Sequence, residues 1–432
     1  MTCESDLSRK NERKRSYADS LYRDQLYFDR AYAFAPILHA HRYRSWSKQP
    51  NKSKQKSCLQ HAMWTLASSL SGQFQNTGRQ LYMETRQLLH ALDSDEPQQQ
   101  ISIEQAQAWI LLAIYELTCD DYHRGMMSAG KAFRLIQIMR LYELDANIPS
   151  IPLSLVCPER DRGQLYPAQS KDDWIDIETE RRTFWFAYTI DRFTSMLDGL
   201  QMFFNEPMIR TRLPAPEANF ANGRPLDMEF LADIMADLEW ADNDLSSFTE
   251  TIISATLCGR VLEHKQKRPA GARDSTYEFC RAHGSLNALL AQRIKVLLTH
   301  TSIECLDPSL TFTALAGRIA VLLLYDLVQS KPLGSEPQAA QLTRALHTEY
   351  QLQSMDAVSY IALLVATLGQ HFQTHPLTPM ILFLAARFSQ SHPGLNDAYN
   401  KLVPCIMSTL QASTNHSRLA QSLLQLLTLD QP

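Results

Sequence analysis

Ile175 to Gly199 reads IDIETERRTFWFAYTIDRFTSMLDG. Wound as an α-helix at about 100° per residue, it places Ile177, Arg181, Phe184, Trp185, Tyr188, Asp191, Arg192 and Ser195 on one side. Phe186, Ile190, Phe193 and Leu197 fall on the other. A helix apolar on both sides is enclosed on both sides, so this stretch predicts the central helix of a larger helical assembly. Arg181, Asp191 and Arg192 would be enclosed with it. A lone buried charge is costly and a paired, hydrogen-bonded one survives, so the expectation is a polar network inside the core, with Asp191 offsetting Arg192 or Arg181.

Outward from this segment the pattern stays helical. Period-3.6 stripes predict helices over 58–72, 79–92, 102–118, 121–143, 173–198, 227–264, 276–300, 310–329, 338–372, 377–390 and 395–411. With alternating strands hard to find and only 14 glycines in 432 residues, the fold class is all-α, a multi-helix bundle or short solenoid-like array. The pair 102–118 and 121–143 resembles one solenoid unit. Breaks fall at Asp93–Gln100, at Ile148–Lys171 with Pro149, Pro152, Pro158 and Pro167, and around Pro207, Pro214, Pro216 and Pro225.

The apolar fraction of 45% with 20% charged residues is that of a folded globular chain. The net charge of −4 gives no bulk attraction to polyanions, yet residues 1–83 hold 14 basic against 6 acidic side chains, so any such contact belongs near the N-terminus. No signal-peptide core opens the sequence and no run of about 18 uninterrupted apolar residues follows, which reads as an intracellular protein without a membrane span. The eight cysteines are then expected to be reduced and mostly buried. The nearest two lie 22 positions apart, which excludes local C-x-x-C redox or zinc motifs.

Several local signals have competing readings. The five basic residues Arg9, Lys10, Arg13, Lys14 and Arg15 form either a nuclear localisation signal or a solvated tail. Arg42 to Lys56 could touch phosphate, but a disordered surface loop accounts for it more easily. Gly125–Lys131 (GMMSAGK) fits the phosphate-loop spacing, but Ala132 replaces the required Ser or Thr and no strand precedes it; close helix packing explains the glycines better. His371 and His375 are spaced for a shared metal, though a helix-end or surface pair is the simpler reading. Asp227–Glu250, with eight acids and no base, reads as an amphipathic packed helix rather than an activation segment. No catalytic, metal or cofactor motif is found, and the chain reads as a protein that is not an enzyme.

The central helix also carries a resemblance. E-R-R-x-F-W-F-A-Y-x-x-D-R, with Ser195 three residues on, then Asn205-Glu206 and Leu213-Pro214, resembles the middle homology region of fungal binuclear zinc-cluster transcription factors. Gln25–His39 (QLYFDRAYAFAPILH) is similar to that family's opening, and Gln107–Leu144 to its helix pair. The motif core comprises Arg181, Arg182, Phe184, Trp185, Tyr188, Asp191, Arg192 and Ser195.

The resemblance implies a basic tail over 1–24, a middle homology core over 25–215, and the C-terminal helical half of the same regulatory domain over 216–432. It also implies a nuclear transcription regulator of a fungal metabolic or secondary-metabolite gene cluster. Family members usually carry a six-cysteine zinc cluster upstream, whereas here Cys3 is the only cysteine before Cys58, so none is expected in this chain. The protein would then act through protein partners, a DNA-binding regulator or a second copy of itself. At most weak, non-specific DNA contact is expected, with a small-molecule effector open and no membrane or cofactor implied. The alternative is a repurposed helical domain that binds or processes a pathway metabolite.

Overall fold

The computed structural model describes residues 22–71, 75–94, 101–146, 171–236, 245–267, 274–300, 307–330, 337–368, 374–392, 397–415 and 417–429. Among them the protein is all-α, as the periodicity predicts, and the one β-type pairing is an isolated bridge between Arg212 and Phe230. The helices group into two units. One takes in the described residues of Met1–Tyr142, Asn147–Phe184 and Ala218–Pro225; the other those of Glu143–Ala146, Trp185–Glu217 and Leu226–Pro432.

The first unit is built from α1 (22–30), α2 (Ala40–Ser47), α3 (Lys54–Ser69), α4 (Gln75–Ser94), α5 (Ile103–Cys119), α6 (Tyr122–Ile138) and the start of α7 (Lys171–Asp198). Side-chain caps set where its helices begin: the Ser53 hydroxyl accepts from Lys56 N–H, Ser102 from Gln105 N–H, and Asp121 from His123 and Arg124 N–H. α3 packs between α4 and α5, and α5 on α6, which makes α5 and α6 the anticipated helical hairpin. Its closeness depends on Gly125, where a Cβ would stand 2.6 Å from the Leu117 backbone nitrogen. Gly130 faces open space and serves no such packing.

The second unit comprises the remainder of α7 and α9 (Leu231–Ala236), α10 (Ser247–Gln266), α11 (Asp274–His300), α12 (Pro308–Gln329), α13 (Pro337–Leu368), α14 (Thr378–Ser391), α15 (Asp397–Ser413) and α16 (Arg418–Leu429). The short α8 (Glu217–Asn222) lies almost wholly in the first. α12 is the organising element of the second unit, packed by α10, α11, α13 and α14. Asp307 caps it and Pro308 opens it, a pairing that suits a first turn whose N–H groups lack helical partners. It is long and apolar enough to cross a membrane, but 83% of its apolar window is buried inside the protein.

Some expected elements differ. The helix predicted over 227–264 is interrupted: α9 spans only six residues, and α10 starts afresh at Ser247, where the Ser246 hydroxyl accepts from Thr249 N–H. There the Ser246 hydroxyl competes with the backbone carbonyls for the Thr249 N–H, which favours a new helix start over the continuous stripe. Phe230, within the stretch read as helix, instead sits in the bridge to Arg212. The stretch Arg42–Lys56 is no loose loop: α2 and the first turn of α3 occupy most of it, and Tyr43 and Ser47 are buried. α1, α2 and α8 are too short to carry an apolar period, and α16, whose buried Leu419, Leu423 and Leu427 repeat every four residues, was not anticipated.

Candidate functional site

α7 is enclosed without interruption from Arg181 to Met196. Its start is more open than the wheel suggests, since Ile177 is 36% exposed. In the first unit, Glu178 is fully buried and serves two arginines: Arg181 Nη1 donates to Oε2 at 2.7 Å, and Arg182 Nε to Oε1 at 3.1 Å. Arg182 also donates from Nη1 to the Pro36 carbonyl at 3.1 Å and stacks 4.2 Å from the Phe220 ring centre. Phe220 meets His39 edge-on at 5.1 Å, and burial pushes the His39 imidazole pKa down. Gln107 donates to the Ile37 carbonyl (2.9 Å) and to Thr183 Oγ1 (3.0 Å). Three separate stretches of the family resemblance therefore meet at Arg182 and Thr183, beside Glu178, which the sequence reading left without a role.

In the second unit, Asp191 pairs with Arg192 rather than Arg181, through Arg192 Nη1 at 3.1 Å. The carboxylate also accepts from the backbone N–H of Phe203 (2.9 and 3.0 Å) and Phe204 (3.0 Å). Arg192 Nη2 donates to the Phe204 carbonyl at 2.9 Å, so one charge pair pins the chain that leaves α7. Burial pushes the Asp191 carboxyl pKa up, against the pull of Arg192 and these N–H donors. The Arg192 guanidinium lies 3.2 Å from the Tyr188 ring centre, and Tyr188 and Thr256 share a hydroxyl hydrogen bond at 3.0 Å. Trp185 Nε1 donates to the Arg212 carbonyl at 2.6 Å. Phe184 and Ser195 are buried, and Glu206 takes Arg260 at 2.6 Å. All eight motif-core residues are thus inside the protein.

The remaining sequence signals sort as follows. Arg9, Lys10, Arg13, Lys14 and Arg15 lie outside the described residues, as does His371. Arg42 reaches Asp176 (2.5 Å) and Asp172 (3.9 Å) at the start of α7. GMMSAGK is part of α6, where Lys131 pairs with Asp93 and lies 4.3 Å from the Trp109 ring centre. His375 is no surface histidine: it is buried and stacked on Phe312 with ring centres 3.9 Å apart. Its Nδ1 accepts from Leu377 N–H, and burial pushes its pKa down to about 3. Of the five described cysteines, Cys58 and Cys258 are buried and the others half-buried. Among the described residues no three His, Cys, Asp or Glu groups gather as a metal site.

Three further buried carboxylates were missed, one of them Glu250, which accepts from Arg293 Nε at 2.9 Å. Asp24 accepts from Tyr43 (2.5 Å), Trp64 (2.8 Å) and Gln60 (3.2 Å). Glu116 accepts from Tyr82 (3.0 Å), Ser128 (2.5 Å) and Arg86, and burial pushes its pKa up. Glu116 was detectable in principle, as an acid inside AWILLAIYEL that must find partners once that helix is buried.

Among the described residues the protein is thus all-helical, with most of its buried charges paired inside the core. Residues 25–226 match the fungal specific transcription factor domain. The pigment biosynthesis transcriptional activator pigB of Monascus ruber is 40% identical over 93% of this chain and 71% of its own length. The citrinin biosynthesis transcriptional activator ctnR of Monascus purpureus is 34% identical over 94% and 67%. The transcription factor tazR of Aspergillus terreus is 34% identical over 92% and 60%. The chain belongs to the fungal-specific transcription factor domain family and is a transcription regulator. No solved structure matches it.

Proposed function

We propose that the protein regulates a fungal secondary-metabolite gene cluster from the nucleus, through contacts with other proteins and without a catalytic step of its own. The observation that carries this reading is the 40% identity, across 93% of the chain, to a regulator named for pigment biosynthesis. The partners are a DNA-binding regulator or a second copy of the chain. Contact with duplex DNA is weak, independent of sequence, and lost as salt rises, because base readout needs an element seated in a groove. Deleting the gene and measuring transcripts genome-wide tests the proposal. A loss of expression confined to one set of neighbouring biosynthetic genes is expected; an unchanged profile under producing conditions would overturn it.

Nuclear entry draws on Arg9, Lys10, Arg13, Lys14 and Arg15, since a chain of 49.3 kDa crosses nuclear pores slowly unless carried. Replacing all five with Gln shifts a tagged protein toward the cytoplasm. An unchanged distribution would leave that run as a solvated tail.

A further inference from the structure

Five arginines are buried among the described residues, and four of them have a carboxylate: Arg181 and Arg182 share Glu178, Arg192 has Asp191, and Arg293 has Glu250. The fifth, Arg318, is 2% exposed in the middle of α12 and pairs with no carboxylate among the described residues. Its Nη1 makes one long bond to the Ala314 carbonyl, 3.4 Å away within its own helix. Nε donates to nothing, and no bond from Nη2 is formed among the described residues. These two atoms form the edge of the guanidinium whose N–H bonds run parallel, the fork that takes both oxygens of a carboxylate.

The surroundings hold the fork in place. The Tyr360 ring of α13 lies over the guanidinium with its centre 3.5 Å from Cζ, which fixes the plane of the donors. One turn to either side on α12 stand Ala314, Leu315, Val321 and Leu322, all buried, and Ala357 and Leu364 flank Tyr360 on α13. Burial pushes the Arg318 pKa down, with Tyr360 and the exposed Asp356 opposing. Arginine stays charged regardless, so a cation with no hydrogen-bonded acid among the described residues is kept within an apolar helix bundle.

We propose that Arg318 is the anchor of a ligand site in the second unit, taking a small molecule that bears one carboxylate on an apolar body. One guanidinium balances one negative charge, which favours a monoanion over a phosphate, whose higher charge calls for additional cations. The apolar neighbours suit a hydrocarbon or aromatic body. That such a ligand reports on the regulated pathway rests on the proposed function; the binding itself does not.

Thermal unfolding of the purified full chain tests the site, with benzoate as the probe, chloride at matched ionic strength as the control and inorganic phosphate as the competing class. Benzoate is expected to raise the wild-type midpoint by roughly 2–4 °C and chloride to leave it unchanged. Arg318→Met should lose that shift and, without benzoate, melt at or above wild type because a stranded charge is gone. Arg318→Lys should lose most of the shift, since an ammonium lacks the fork. The proposal is overturned if Arg318→Met melts several degrees below wild type, if benzoate shifts neither or both proteins alike, or if phosphate stabilises where benzoate does not. None of these readouts depends on transcription, so failure of the site and failure of the regulatory reading are separable.

Discussion

Helices α7 and α12 are both enclosed on nearly every side, and they treat charge in opposite ways. Along α7 each buried cation has an acid within one turn: Glu178 for Arg181 and Arg182, Asp191 for Arg192. Along α12 the single buried cation, Arg318, has none among the described residues. The first arrangement satisfies its own electrostatics and adds geometric information, because Asp191 also fixes the backbone of Phe203 and Phe204. The second leaves a cost in place, which a protein retains where function benefits from it. A buried charge is thus informative through its partners rather than its depth.

The largest effect expected from this contrast is at Glu178. Glu178→Ala strands two buried guanidinium groups at once, and breaking a buried pair costs about 3–5 kcal/mol, so a drop in melting temperature on the order of 10 °C is expected by circular dichroism. A loss of only a degree or two would mean that Arg181 and Arg182 are held by their other contacts.

Acid sensitivity sharpens the α12 side. His375 stacks on Phe312 of α12 and stays neutral, with its pKa pushed down to about 3 from an ordinary 6.5. Between those values the unfolded chain binds a proton that the folded chain refuses, so this group's contribution to stability is lost as pH falls from 6.5 toward 3. His375→Phe should flatten the acid limb of the stability curve, retaining about 2 kcal/mol more than wild type at pH 5 relative to pH 7. Parallel curves for the two proteins in urea unfolding at both pH values would refute the neutral buried histidine.

The same distinction between enclosed and open positions applies on one helix, α6. Gly125→Ala places a methyl against the backbone of Leu117 and should cost about 1–3 kcal/mol. Gly130→Ala meets nothing and should gain about 0.5–1 kcal/mol from helix propensity. If both glycines respond alike in denaturant unfolding, the close approach of α5 and α6 is not what Gly125 provides.

How far the sequence could be read depends on where partners lie along the chain. α7 was legible because its apolar residues cover both sides of the wheel, a property local to 25 residues. The Glu178 pairing was legible too, because Glu178 stands three and four residues before Arg181 and Arg182 on one helix face. The Asp24 cluster was not legible: its donors stand 19, 36 and 40 residues away on other helices, and no periodicity encodes which helices meet. The helix predicted over 227–264 failed for a local reason, since the stripe passes through Ser246 and a cap there ends the register. Arg318 shows the opposite limit. A cation within an apolar run predicts a partner, and only the packed structure reveals that the described residues supply none.

The most direct measurement is a double-mutant cycle on α7, with urea unfolding of wild type, Asp191→Ala, Arg192→Met and the double variant. If the buried charges are mutual structural partners, Asp191→Ala alone loses about 3–5 kcal/mol, and the double variant recovers part of it, giving an interaction energy of about 1–3 kcal/mol. Additive effects within about 0.5 kcal/mol, or an Asp191→Ala protein that unfolds like wild type yet fails to regulate, would contradict the account and make Asp191 and Arg192 a ligand site instead.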